Sequence, residues 1–171
     1  MKKNTNIKTN HGFIILIAFI LLFGIILYAA TNVNKTYTPQ TNTLINTSDT
    51  KTYSSESMKF SVGVPTKFKV NEKFFRVTLA SNEGNIYIEK NGTNFDNIDD
   101  YVNELDTKNN SVTLDKERLS INSFPTISGM VGNQKYYFIY ADNWTIFTLF
   151  SNSSSLFPVL DQIASSFRYT P

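Results

Sequence analysis

Between Phe13 and Ala30 the chain carries 18 consecutive residues without a charge, 13 of them Phe, Ile or Leu. As an α-helix, at about 1.5 Å per residue, this run is about 27 Å long, close to the thickness of a bilayer's hydrocarbon layer. Its 13 large apolar side chains favour the membrane by about 4 to 8 kcal/mol on insertion scales. Gly24 is tolerated because lipid offers the backbone no competing hydrogen-bond partner. Lys2, Lys3 and Lys8 precede the run, whereas Lys35 and Lys51 are diluted in the segment after it. That asymmetry keeps the N-terminus cytoplasmic and sends the rest of the chain outside. The expected organisation is a basic tail over 1–12, a transmembrane helix over 13–30, a linker over 31–52 and an extracytoplasmic domain over 53–170.

Two other readings of the run stay open. A cleaved signal peptide needs a shorter apolar core and small residues at −3 and −1, where this chain offers Tyr28 and Ala30. The pair Gly12-Phe13 resembles a type IV prepilin junction, which implies a filament subunit. The acidic residue that such subunits carry five places into the mature chain falls here on Ile17.

Residues 31–52 are dominated by Thr and Asn and hold almost no apolar side chains, so they cannot bury enough surface to offset the entropy of ordering. They read as a flexible tether with an r.m.s. reach of roughly 25 to 30 Å. From Tyr53 to Thr170 the chain has 11 Lys and Arg against 13 Asp and Glu, so the overall charge of +2 comes from the N-terminal part. A nucleic-acid partner is not expected, because the one basic cluster, Lys67, Lys69, Lys73 and Arg76, reads as a solvated strand edge. Cysteine is absent, and the single histidine, His11, lies at the cytoplasmic mouth of the apolar run. Thiol chemistry, a Ser/His/Asp arrangement and a zinc site are therefore excluded from the outer domain, and no cofactor is implied.

Within the domain, Met58, Phe60, Val62 and Val64 alternate with Lys59, Ser61 and Gly63 up to Pro65, a period of two that predicts a half-buried strand. Strands are predicted in KFFRVTLAS and NIYIEK. Then Ile98, Tyr101, Val102 and Leu105 recur at helical spacing, with Asn97 as N-cap and Asp99 and Asp100 in the first turn. Further strands are drawn through SVTLDKERLSIN, PTISGMVG, QKYYFIYA and WTIFTLFS, the last two forming a hairpin about Asp142 and Asn143. If Ala141 opposes Trp144, one face of that hairpin carries Tyr137, Ile139, Trp144 and Ile146. The other carries Tyr136, Phe138, Tyr140, Phe147 and Leu149. A closing helix is predicted over about Ser155 to Phe167.

The stretch FSVGVPTKFKV, with Phe60, Val62, Val64, Pro65, Phe68 and Val70, resembles the opening of PsbP-like domains. The order that follows is also similar: a short helix NIDDYVNEL, a strand reaching INSFPTISGMV, an aromatic hairpin and a helix ending IASSFRY. The resemblance implies an α+β fold, a twisted antiparallel sheet flanked by helices on both faces, shared with Mog-type and DcrB-like proteins.

For function, a non-catalytic module anchored in the cell membrane and binding or stabilising another envelope protein or ligand is expected. Pilin-like filament subunit and carboxylate-based surface hydrolase are the alternatives. Tyr and Trp supply contact area at low entropic cost, so Tyr137 and Trp144 are the candidate binding residues. Asp96, Asp99 and Asp100, in the densest acidic stretch, are weak candidates for calcium and more simply the solvated side of a helix.

Overall fold

The computed structural model of the chain describes residues 49–171. The apolar run over 13–30 and the linker up to residue 48 lie outside them, and no helix among the described residues is long and apolar enough to cross a membrane. Ten strands form two antiparallel sheets. In chain order they are β1 (Thr50–Ser55), β2 (Phe60–Pro65), β3 (Lys69–Lys73), β4 (Arg76–Ser81), β5 (Gly84–Gly92), β6 (Leu114–Ile121), β7 (Phe124–Val131), β8 (Gln134–Asp142), β9 (Thr145–Ser151) and β10 (Arg168–Tyr169). Helix α1 (Ile98–Lys108) separates β5 from β6, and α2 (Phe157–Ser165) follows β9.

The larger sheet runs β3-β4-β5-β9-β8-β7-β6. It consists of two meanders, β3 to β5 and β6 to β9, joined where β5 pairs with β9 from Ile86↔Ser151 to Gly92↔Thr145. Alternation along each strand then sorts the side chains. Val77, Ile88 and Leu149 share one face, as do Ile139 and Phe147, and all five are buried. The opposite face carries Ile127 and Phe138, on which α1 lays Ile98 and Val102.

The expected single sheet with a helical layer on each face is not what forms. Beyond Phe147 lies a second sheet, β1-β2-β10, whose Phe60 ring sits 5.3 Å from Phe147 and 5.8 Å from Phe167. The described residues are mostly strand, and α2 spans only nine residues. The reason lies in β1. Its residues Thr50–Thr52 fall in the stretch read as linker, yet Thr50 pairs with Pro65 and Ser55 with Phe60. With β10 on its other side, β2 becomes the centre of a sheet of its own. Sheet-on-sheet contact therefore supplies cover that the sequence had assigned to helices.

The aromatic hairpin also differs from expectation. Tyr140 pairs with Ile146 and Asp142 with Thr145, leaving Ala141 as an extra residue in β8. A one-residue shift moves every later side chain to the other face. Phe147 and Leu149 accordingly join Tyr137 and Ile139, while Ile146 joins Tyr136, Phe138 and Tyr140.

The connection from α1 to β6 passes close over β7 at Gly129. A Cβ there would stand 2.6 Å from Thr113 Cγ2 and 2.9 Å from the Leu114 carbonyl oxygen, and the latter is backbone that cannot swing aside. Gly129→Ala is expected to cost about 1 to 3 kcal/mol through this overlap. Urea unfolding would read it as a lowered midpoint at unchanged slope.

Candidate functional site

Helix α1 forms where Asn97 can cap it: the Asn97 side chain accepts from the Asp100 backbone N–H at 2.9 Å, and Asp99 and Asp100 place negative charge in the first turn. The helix rests on β7 and β8. One flank, marked by Tyr101 and Leu105, is left standing beside the neighbouring strands β9 and β5.

An open groove of about 560 Å³ follows that flank, lined by Thr93, Phe95, Tyr101 and Leu105 with Trp144 at its margin. A second hollow of about 230 Å³ shares Tyr101 and Leu105 and extends over Glu89, Asn91, Tyr136 and Thr148. Trp144 is 71% exposed.

Glu89 is the most unusual group in this region. It forms an ion pair with Arg76 through its Oε1, but the approach lacks the alignment of a hydrogen bond, and that buried oxygen has no hydrogen-bond partner. Burial, together with the Glu89 charge, raises the pKa of the nearby Tyr101 and Tyr136 phenols, with the Thr148 hydroxyl opposing the shift at Tyr101. Both therefore stay neutral at ordinary pH, and the Tyr136 hydroxyl donates to Gln134 Oε1. Asn91 donates to Thr148 Oγ1 at 3.0 Å. The result is a polar, aromatic-rich cleft with a partly unmet acceptor, suited to recognition through hydrogen bonds and stacking.

Asp106 closes the far end of the groove. It accepts from the Thr113 backbone N–H at 3.1 Å and from the Thr113 hydroxyl at 2.7 Å, and pairs with Lys116 at 2.9 Å. These contacts tie the end of α1 to the start of β6.

The two residues expected to bind lie apart. Tyr137 is buried on the other face of the larger sheet, where its hydroxyl donates to Asp161 of α2 at 2.8 Å and Lys135 pairs with the same carboxylate at 2.6 Å. Its phenol pKa is raised, by burial first and then by Asp161. Trp144 does stand at the groove. Of the acids, Asp99 pairs with Arg118 at 2.5 Å, Asp100 is engaged with the Asn97 cap, and Asp96 is exposed. Among the described residues no group of three or more His, Asp or Glu is placed to hold a metal. Of the basic cluster, Lys67 pairs with Glu83 at 2.6 Å, while Lys69 and Lys73 lie on the exposed edge strand β3.

Glu89, Asn91 and Tyr101 were not singled out from sequence. A period-two reading of NIYIEKN does put Tyr87, Glu89 and Asn91 on one face opposite Ile86 and Ile88. Which strand lies beside that face depends on the β5–β9 pairing, and this has no local signal.

No protein-family model matches the chain, and no curated protein matches it. The fold is similar to a crystal structure of a protein from Bacteroides thetaiotaomicron VPI-5482, with a TM-score of 0.52 and 13% identity over 72% of this chain. This chain spans 49% of that protein's length, and at such identity the likeness shows fold alone. A solution structure of cyanobacterial PsbP (CyanoP) from Synechocystis sp. PCC 6803 matches at a TM-score of 0.48 and 10% identity, over 71% of this chain and 93% of that one.

The Asp106 staple gives a pH-dependent expectation. Burial alone would raise its pKa, but the Thr113 hydroxyl, Lys116 and the Thr113 N–H outweigh it and hold the carboxyl below its usual value. A depressed folded-state pKa stabilises the domain above the unfolded value, and that contribution is lost as pH falls through the folded one. Asp106→Asn is expected to cost about 1 to 2 kcal/mol at neutral pH. Denaturation at a series of pH values should show the gap between the variant and the original chain closing in acid.

Proposed function

We propose that the chain is a non-catalytic binding module, held at the outer surface of a cell membrane by its apolar N-terminal run, which engages another envelope component through the groove beside α1. The observation that carries this reading is the pair of adjoining hollows beside α1, one over Glu89, whose buried oxygen has only its ion pair with Arg76, the other edged by the exposed Trp144. A carboxylate held by an ion pair without a well-aligned hydrogen bond has capacity for a further donor from outside, and Tyr101 and Trp144 supply rigid aromatic surface around the hollows. The acids nearby are committed to cations, Glu104 to Lys108 at 3.0 Å and Asp106 to Lys116, which favours recognition over carboxylate hydrolysis. The motifs that resemble PsbP-like domains agree with an accessory role.

A photoreactive residue at Asn94, on the groove wall, tests the reading in intact cells. A discrete crosslinked species is expected, and Trp144→Ala or Glu89→Gln should diminish it while the domain stays folded. A folded protein that gives no discrete adduct at this position would count against the groove. Because the chain has no cysteine, Asn133→Cys, at an exposed turn, offers a single thiol for topology. Labelling by a membrane-impermeant maleimide in intact cells is expected; labelling only after lysis would place the domain inside.

A further inference from the structure

Where β3 turns into β4 the chain reads Lys73-Phe74-Phe75-Arg76. Lys73 pairs with Arg76, so the two phenylalanines are the turn itself. Two-residue hairpin turns call for positive φ, which Gly or Asn adopts with little strain. Here Phe74 takes φ 50°, a costly conformation for a bulky side chain. Packing does not offset that strain, since Phe74 is 90% exposed and Phe75 70%. At the neighbouring β8–β9 turn Trp144 is also exposed, and Phe75 and Trp144 line one shallow hollow with Lys90 and Thr145. Three solvated aromatic rings therefore stand at one end of the larger sheet, two of them bracketed by cations.

We propose that this end of the domain seats in the interfacial layer of a lipid bilayer. Phe74, Phe75 and Trp144 would enter the boundary between acyl chains and headgroups, while Lys73 and Arg76 meet the phosphates. The shape favours lipid over a protein partner: rings on turn apices project from the surface, so a rigid protein would need a matching pocket for each, whereas a fluid closes around all of them. Tryptophan is the side chain most at home at that depth, and cations beside it complement anionic headgroups. Arg76 already pairs with Glu89, and Glu72 lies on the same edge strand. Apolar insertion rather than a basic field therefore drives the contact, which makes it weakly dependent on salt. A chain held at a bilayer by its run over 13–30 meets that surface at high effective concentration. The inference shares the membrane tether and Trp144 with the function proposed above, but Phe74 and Phe75 lie outside the groove lining and carry it independently.

Trp144 is the only tryptophan in the chain and reports on this end directly. The full chain would be reconstituted into phosphatidylcholine–phosphatidylglycerol vesicles with or without brominated acyl chains. Blue-shifted Trp144 emission that bromolipid quenches is the expected result. Phe74→Gly combined with Phe75→Ser keeps a sound hairpin turn and removes both rings. Its quenching should be lost, with a Tm equal to or above that of the original chain. Absence of quenching in the original chain, or equal quenching in the variant, would overturn the proposal. Crosslinking at Asn94 is read separately: lipid contact without a groove adduct retains this inference and removes the other, and the reverse holds as well.

Discussion

Three phenylalanine rings hold the domain together. Phe60 of β2, Phe147 of β9 and Phe167 just after α2 lie within 5.0 to 5.8 Å of one another, centre to centre, and all three are buried. Each comes from a different layer: the small sheet, the large sheet and the segment leaving the second helix. Aromatic contacts of this kind are worth about 0.5 to 1.5 kcal/mol each beyond the area they bury. The more important point is geometric. Without Phe60 and Phe167 opposite it, Phe147 would leave the centre of the large sheet open to water, and the two sheets would have no common core.

The groove follows from how unequally the two faces of that sheet are covered. On one, the second sheet sets Phe60 against Phe147. On the other lies a single helix of 11 residues. A seven-stranded sheet at about 4.8 Å per strand is far wider than the 10 to 12 Å of one helix, so part of this face must remain uncovered. Polar and aromatic residues occupy it: Tyr87, Phe150 and Tyr136 stack in sequence across the strands, and Glu89 and Asn91 lie between them and α1. The stacked rings face one another, so they stiffen this surface more than they offer flat platforms to a ligand.

Local patterns made much of this readable. The strand ending at Pro65, the Asn97 cap, and the helical spacing of Ile98 and Val102 all appear where the sequence places them, although Met58 and Lys59 lie in the turn before that strand. What escaped was long-range pairing. Thr50–Ser55 is polar and Thr-rich and reads as linker, yet it becomes strand because β2 offers it an edge. The extra residue at Ala141 is equally silent, and it sets Tyr137 and Ile139 on one face with Phe147 and Leu149, where the Tyr137 hydroxyl meets Asp161. The exposure of Trp144 was legible because the residue sits in the turn, where register cannot hide it. Glu89 was not, since its significance depends on Arg76, Tyr101 and Thr148 arriving from three other elements.

Strand β10 contains only Arg168 and Tyr169, pairing with Ser61 and Phe60. A chain made from its N-terminus presents β2 early, more than a hundred residues ahead of this partner. Until residues 167–169 emerge, Phe60 lacks its nearly parallel neighbour Phe167, and the far edge of β2 has nothing to pair with. The domain thus cannot complete its central cluster piecemeal as the chain is made. Its core closes in one late step, with the timing set by the arrival of β10.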